Sequence, residues 1–155
     1  MITSWRITTA EYAESAFDGE GAPLYGGRWS WRGVRVVYTS STAALAALEL
    51  LVRIVRDEPL RNYILFACSF HEPLVEDADR KALPAGWRAS PPPPVLREVG
   101  NGWIQRGSSA VLRVPSAVIE TESNYLLNPE HPDFKKIQIA EPIPFSLDMR
   151  LIRRS

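Results

Sequence analysis

Disulfides and membrane-spanning segments are what this sequence most clearly lacks. It has one cysteine, Cys68, among 155 residues. A single cysteine cannot close an internal disulfide, which excludes a small secreted fold held together by such bonds. Because Cys68 lies inside the apolar run 63–70, we expect a core thiol rather than a reactive one. No apolar run approaches the roughly 20 residues that cross a bilayer, and no signal peptide is recognisable, so we expect a cytoplasmic protein without membrane contact.

Net charge and histidine are also scarce. The 18 basic and 18 acidic residues cancel, and no lysine-rich run creates a local positive field. We therefore expect no direct contact with nucleic acid. The two histidines, His71 and His131, are far apart and lack the spacing of a zinc site, so we expect no bound metal.

The composition that remains is typical of one domain with a buried core. Hydrophobic residues make up 45% of the chain and charged residues 23%. The pattern predicts helices over 9–16 and 43–56, and a short helix within 95–106, where Gly100 and Gly102 disfavour a longer one. It predicts strands over 5–7, 34–39, 63–70, 110–114, 117–120, 136–139 and 145–147. The glycine-rich segment 17–27 and the proline run 91–94 are expected to be surface loops.

Three chemically distinct side chains follow one another on successive predicted elements. Arg28 comes after the glycine-rich loop, Tyr38 ends the next strand, and Glu49 lies on the next helix. A guanidinium can hold a diphosphate, a phenol ring can stack on a flat base, and a carboxylate can stabilise a cation that develops on ribose. This order of residues suits a site for a ligand such as NAD.

The three residues are part of a longer pattern that resembles the RES-domain proteins, the toxins of the bacterial Xre–RES type II toxin–antitoxin systems. That family is named for an arginine, a glutamate and a serine, which here correspond to Arg28, Glu49 and Ser116. The matching blocks run in order along nearly the whole chain: Trp5-Arg6, Gly26 to Trp29 with Gly33, Val36 to Thr39, Leu48-Glu49, Val111 to Ser116, Asn124 to Pro129, His131 to Phe134, Phe145, Asp148 and Arg150-Leu151. Several ordered blocks are more specific than one short motif. One departure lies directly after Trp29. The family commonly has asparagine at this position, whereas this chain has Ser30, followed by an unusual second tryptophan, Trp31.

The resemblance implies both a fold and an activity. It implies a single α+β domain, residues 1–155, that resembles the ADP-ribosyltransferase fold, with a split β-sheet core, flanking helices and an NAD cleft. It implies that NAD is the substrate and that its nicotinamide–ribose bond is cleaved by hydrolysis or phosphorolysis, which depletes cellular NAD without a metal. An Xre-type antitoxin is the implied protein partner, and DNA would be contacted only through that antitoxin.

The resemblance also assigns the site residues. The catalytic residues would be Arg28, Tyr38, Glu49 and Ser116, and the NAD-binding residues Arg6, Arg28, Tyr38 and Asn124. In this assignment Arg28 holds a phosphate, Tyr38 stacks on nicotinamide and Glu49 stabilises the charge on ribose. Ser116 orients Arg28 or Glu49, or binds the ligand directly.

Each of these residues also has an ordinary structural interpretation. Glu49 can pair with Arg53 at i,i+4 on an exposed helix, although its apolar neighbours argue against that. Tyr38 can be a core aromatic, and Ser116 can be part of a turn because it follows a proline. Asn124 opens a segment with the composition of an ordered loop, where amides usually bind the backbone.

Two alternative functions stay open from the sequence. One is an ADP-ribosyltransferase that modifies a host protein; Ala47, two residues before Glu49, disfavours the arginine-modifying type. The other is a catalytically silent module that binds a nucleotide or the antitoxin. The oligomeric state is also open, with a homodimer among the alternatives.

Overall fold

Eight β-strands and three α-helices make up the regular structure of the described part of the chain. In the computed structural model, the described residues are 1–20, 27–54 and 61–152. The strands are β1 (Ile2–Thr9), β2 (Val37–Ser40), β3 (Tyr63–Phe70), β4 (Val75–Asp77), β5 (Val111–Pro115), β6 (Ser123–Leu127), β7 (Gln138–Ile139) and β8 (Ile143–Phe145). The helices are α1 (Ala43–Leu51), α2 (Val95–Arg106) and α3 (Met149–Ile152). None of these described helices has the length and apolar character that crossing a membrane requires.

The strands form a sheet in the order β4-β5-β6-β2-β1-β3-β7, and β8 also pairs with β3. The β4–β5 pair is parallel and the other pairs are antiparallel. Strands β1 and β3 pair along eight residues, whereas β1 and β2 share the single registered pair Trp5↔Ser40. The sheet therefore consists of two halves with a short junction, and the predicted α+β class with a split sheet is confirmed.

Both faces of the β5–β6 half are buried, which explains the nearly continuous apolar sequence of β5. One core cluster combines Val111 and Leu127 with Cys68 and Phe70 of β3. The cluster on the other face combines Leu112 and Leu126 with residues of α2. Cys68 is fully buried there, and burial raises the pKa of its thiol, as expected for a core cysteine.

Helix α1 begins where the sequence predicts, because the Thr42 side chain accepts a hydrogen bond from Leu45 N at 3.0 Å. It ends at Leu51, earlier than predicted, and residues 55 and 56 of the predicted helix lie outside the described residues. Helix α2 occupies the whole of 95–106, where only a short helix was expected because of its two glycines, and Gly107 with φ 60° caps its C-terminus. The predicted loop 17–27 is described only in part, because residues 21–26 lie outside the described part.

Two predictions about the chain after β5 were wrong. Residues 117–120 were expected to form a strand but form a bend, because the Ser116 hydroxyl binds the backbone N–H groups of Val118 and Ile119. The strand comes later, as β6, and it contains Asn124, which was expected in a loop. The polar residues near its ends concealed this strand, since they are typical of turns.

The other differences are shifts of bounds. The opening strand extends over Ile2–Thr9, well beyond the predicted 5–7, and β2 begins at Val37 rather than at residue 34. The predicted helix over 9–16 is a short 3-10 helix at Ala10–Tyr12 followed by turns. Strand β3 has the predicted bounds.

Candidate active site

The carboxylate of Glu49 is bound by two side chains from distant parts of the sequence. Glu49 lies in the last turn of α1 and is half-buried. Its Oε1 atom accepts a hydrogen bond from Ser116 Oγ at 2.9 Å and one from Asn124 Nδ2 at 2.8 Å. Both donors are neutral, so they orient the carboxylate without cancelling its charge.

Ser116 is fully buried directly after β5, and its hydroxyl oxygen is already used as an acceptor. The N–H groups of Val118 and Ile119 donate to it at 3.1 and 3.0 Å. Its hydrogen is therefore the group that reaches Glu49. This arrangement makes Ser116 a donor that orients Glu49, and it combines the predicted site role with the turn expected from its sequence context.

The simple i,i+4 ion pair expected as the alternative for Glu49 is not formed. Arg53 Nε donates to the backbone carbonyl of Glu49 at 3.1 Å instead of to its carboxylate. Within the described part of the chain, no ion pair shorter than 4 Å involves Glu49. The carboxylate thus keeps its charge available to a ligand.

Arg28 follows the glycine turn and is half-buried. Its Nη1 atom donates to the carbonyls of Trp87 and Ala89, both at 2.8 Å. Burial lowers the pKa of the Arg28 guanidinium, and the charge of Glu49 opposes that shift. The opposite charges of Arg28 and Glu49 therefore interact across the site region.

Tyr38 lies on β2 beneath the turn that carries Arg28. Its hydroxyl forms a 2.6 Å hydrogen bond with the hydroxyl of Ser30, and burial raises the pKa of Tyr38 while that bond opposes the rise. A Cβ atom at Gly27 would lie 2.6 Å from Tyr38 Cζ, so glycine is required for the turn to lie against the hydroxyl end of the ring. Ser30, the departure from the usual family pattern, thus provides the hydrogen-bond partner of the tyrosine.

Trp31, the second unusual residue, attaches the same turn to α2. Its indole Nε1 donates to Glu98 Oε1 at 2.6 Å, and the Arg97 guanidinium lies 5.0 Å from the centre of its ring. Arg97 Nε also donates to the carbonyl of Gly27 at 3.3 Å. The tryptophan therefore has a structural role in holding the turn.

Arg6 on β1 contacts the same region through the backbone. Its Nε donates to the carbonyl of Ala16 at 2.7 Å and its Nη1 to the carbonyl of Tyr38 at 3.0 Å. Burial lowers the pKa of Arg6 to about 10, and the charge of Arg53 acts in the same direction. Arg6 keeps its positive charge at neutral pH, so it contributes to a cationic environment near Tyr38.

Apart from Arg28, the sequence-predicted residues form two hydrogen-bonded groups. Glu49, Ser116 and Asn124 form one group, and Arg6 with Tyr38 forms the other. Arg28 interacts electrostatically with the first group. The individual assignments of catalytic and NAD-binding roles stay predictions.

Sequence reasoning missed three contributors to the site. Ser40 had no predicted role in the site, but its hydroxyl donates to Asn124 Oδ1 at 2.8 Å. The carbonyls of Trp87 and Ala89 had no recognisable signal, since backbone acceptors in a proline-rich loop do not depend on side-chain type. The contact of Ser40 with Asn124 follows from the pairing of β2 with β6, in which the two residues lie opposite each other.

Comparison with known proteins decides the family. The model of the RES domain matches residues 3–148. The chain belongs to the RES-domain family. This RES domain is 38% identical over 150 residues to a protein of Photorhabdus laumondii named "Toxin Res", covering 96% of each chain. It is also 38% identical over 161 residues to a protein of a Sphingobium species named "Prs ADP-ribosylating toxin", covering 100% of each.

The fold of this RES domain is also found among solved structures. A chain from the crystal structure of the M. tuberculosis MbcT-MbcA toxin–antitoxin complex superposes with a TM-score of 0.74. The match covers 94% of this RES domain and 84% of that chain, at 16% sequence identity. At this identity the similarity establishes the shared fold.

Proposed function

We propose that this RES domain is the toxin of a toxin–antitoxin pair and that it consumes NAD by cleaving the nicotinamide–ribose bond. The observation that carries this proposal is the arrangement around Glu49, whose Oε1 is bound by the neutral donors Ser116 and Asn124. The relatives named as toxins support the same conclusion. A fixed, charged carboxylate that interacts electrostatically with Arg28 suits a substrate that is an anion and develops positive charge as it reacts.

In the proposed reaction, nicotinamide leaves with the electron pair of the glycosidic bond, and positive charge develops on the ribose. Glu49 stabilises this charge electrostatically, as carboxylates do in the cleavage of glycosides. Both donors bind Oε1, and no hydrogen bond from the described residues reaches the second oxygen, Oε2, so that oxygen would face the ribose. An oxygen atom of water or phosphate then forms a bond to the ribose carbon, and the proton of this oxygen passes to the solvent.

The cationic side chains would bind the diphosphate of NAD. Arg28 would present its guanidinium to a phosphate while Nη1 stays attached to the carbonyls of Trp87 and Ala89. Tyr38 would stack its ring on nicotinamide, with its hydroxyl fixed by Ser30. Arg6 adds positive charge near Tyr38, and Asn124 acts mainly through Glu49.

A second candidate function is transfer of ADP-ribose to a protein. It is favoured by the Sphingobium relative, which is named as an ADP-ribosylating toxin and matches over its full length. Glu49 and Arg28 would serve both reactions, because the two differ only in the group that forms the new bond to the ribose carbon. Ala47, two residues before Glu49, disfavours arginine as that acceptor.

The proposed partner is an antitoxin that covers the site. The fold neighbour was solved as a toxin–antitoxin complex, which supports such a partner for this RES domain. The family resemblance favours an Xre-type protein, so contact with DNA would come through the antitoxin. A catalytically silent module would bind NAD or the antitoxin without turnover.

The acceptor can be identified by one product analysis. Purified protein is incubated with NAD in buffers with and without phosphate, and with a bacterial extract and NAD labelled in its adenine. Free ADP-ribose indicates hydrolysis, ADP-ribose phosphate indicates phosphorolysis, and label bound to a protein indicates transfer. Binding of NAD without release of nicotinamide in all three conditions would contradict both proposed reactions and support the silent module.

A further inference from the structure

A hydroxyl group lies behind the amide that binds Glu49. Ser40 Oγ on β2 donates to Asn124 Oδ1 at 2.8 Å, and Asn124 Nδ2 donates to Glu49 Oε1 at 2.8 Å. Ser40 and Asn124 are both buried, with 5% and 9% of their surface exposed. The three side chains form a chain of hydrogen bonds that leads from the interior of the sheet to the carboxylate.

The donors and acceptors permit only one direction along this chain. A carboxylate accepts hydrogen bonds, so Asn124 must present its Nδ2 group to Glu49. The Oδ1 atom of Asn124 then faces the sheet and requires a donor, because an unpaired buried acceptor is costly. The hydroxyl of Ser40 is that donor.

We propose that Ser40 is a positioning residue for Glu49 that acts through Asn124, an inference that rests on the proposed function. Ser40 and Asn124 lie opposite each other in the register of β2 and β6, so the backbone fixes their separation. The amide therefore presents its Nδ2 group in a single orientation. Glu49 is held by this amide from one strand and by Ser116 from the end of another.

Removal of the Ser40 hydroxyl should affect turnover more than binding. In Ser40→Ala the amide loses the bond that fixes its orientation, and Glu49 loses a well-aligned donor. We expect kcat to fall about tenfold, since misplacement of a catalytic group is costly, while KM for NAD stays within about twofold. In the Asn124→Ala background, Ser40→Ala should cause no further loss of kcat, because Ser40 acts only through the amide.

Thr39 provides a matched control on the same strand. It is buried, and its hydroxyl donates to the carbonyl of Tyr125 at 2.9 Å and lies within hydrogen-bond distance of Ser4 Oγ at 2.8 Å, with no bond to Asn124 or Glu49. Thr39→Val replaces a buried hydroxyl by a methyl group of similar size. This substitution should lower stability while leaving kcat unchanged. Equal values of kcat in Ser40→Ala and Thr39→Val, or additive losses with Asn124→Ala, would overturn the proposal.

The side-chain amide of Asn124 gives a test that does not depend on turnover. Its two amide protons can be followed by NMR in the folded protein, with assignment by comparison with Asn124→Ala. We expect Ser40→Ala to shift these resonances and speed their exchange with water, whereas Thr39→Val leaves them unchanged. Unchanged resonances in Ser40→Ala would overturn the positioning role. Absence of NAD consumption by the wild-type protein would instead reject the proposed function.

Discussion

At the scale of single residues, Arg28 uses one nitrogen to hold two backbone carbonyls of the loop around residue 88. This attachment fixes the plane of the guanidinium before any ligand binds. A fixed, planar fork is suited to a phosphate because less conformational entropy is lost on binding. The role of Arg28 therefore depends on its shape as well as its charge.

Replacement of Arg28 by lysine should weaken NAD binding. An ammonium group cannot bind two carbonyls and a phosphate with the same geometry, so we expect Kd to rise about tenfold or more. Calorimetric titration with NAD measures this change. Arg32→Lys is the matched control, since Arg32 is an exposed arginine close by. Equal affinity of both variants and the wild type would contradict the phosphate-binding role.

Tyr38 is expected to act through its ring more than through its hydroxyl. Tyr38→Phe leaves Ser30 Oγ without its partner, which should cost about 1 kcal/mol of stability, but it keeps a ring to stack on nicotinamide. Tyr38→Ala removes that ring. We expect nicotinamide release to be affected mildly in the first variant and severely in the second. Equal losses in two folded variants would assign the function to the hydroxyl.

At the scale of elements, α2 and the turn that carries Arg28 are packed in direct contact. A Cβ atom at Gly100 would overlap the carbonyl oxygen of Trp29. The glycine in the middle of α2 is therefore required by the close approach of the two segments, and it places the turn relative to the helix. Trp31 and Arg97 add contacts on the same side.

A pair of glycine substitutions tests this packing. Gly100→Ala should lower the free energy of unfolding by about 2 kcal/mol or more, because backbone must move to admit the methyl group. Gly102→Ala, on the same helix, meets only the end of the Arg106 side chain at 3.3 Å and should be stabilising by about 0.5–1 kcal/mol. Urea denaturation measures both. A similar effect of the two substitutions would contradict the close approach.

The helices and strands differ in how closely the sequence predicted them. The strand Tyr63–Phe70 was predicted with its observed bounds, because its pattern of apolar residues is local. The helix Val95–Arg106 was predicted only as a short helix within that range, because its two glycines disfavour a helix. The apolar neighbours of Glu49 correctly argued against an exposed ion pair. The partners of Glu49 could not be found this way, since Asn124 is 75 residues away and its strand has a loop-like composition. Such contacts depend on strand register.

At the scale of the whole molecule, the candidate site lies at the junction between the two halves of the sheet. Arg6 comes from β1 in one half, whereas Tyr38 and Asn124 come from β2 and β6 in the other. Helix α1 delivers Glu49 to the second half. A ligand bound here would contact both halves, so we expect NAD to stabilise the fold as a whole.

The most direct test of this account compares binding with turnover in Glu49→Gln. Glutamine has the same shape and can still accept hydrogen bonds from Ser116 and Asn124, so the fold and NAD binding should be retained. Without the negative charge, we expect nicotinamide release to fall by at least about a hundredfold. Chromatographic detection of nicotinamide, combined with calorimetric NAD titration, measures both properties. A folded Glu49→Gln variant that binds NAD and releases nicotinamide at the wild-type rate would contradict the central role of Glu49.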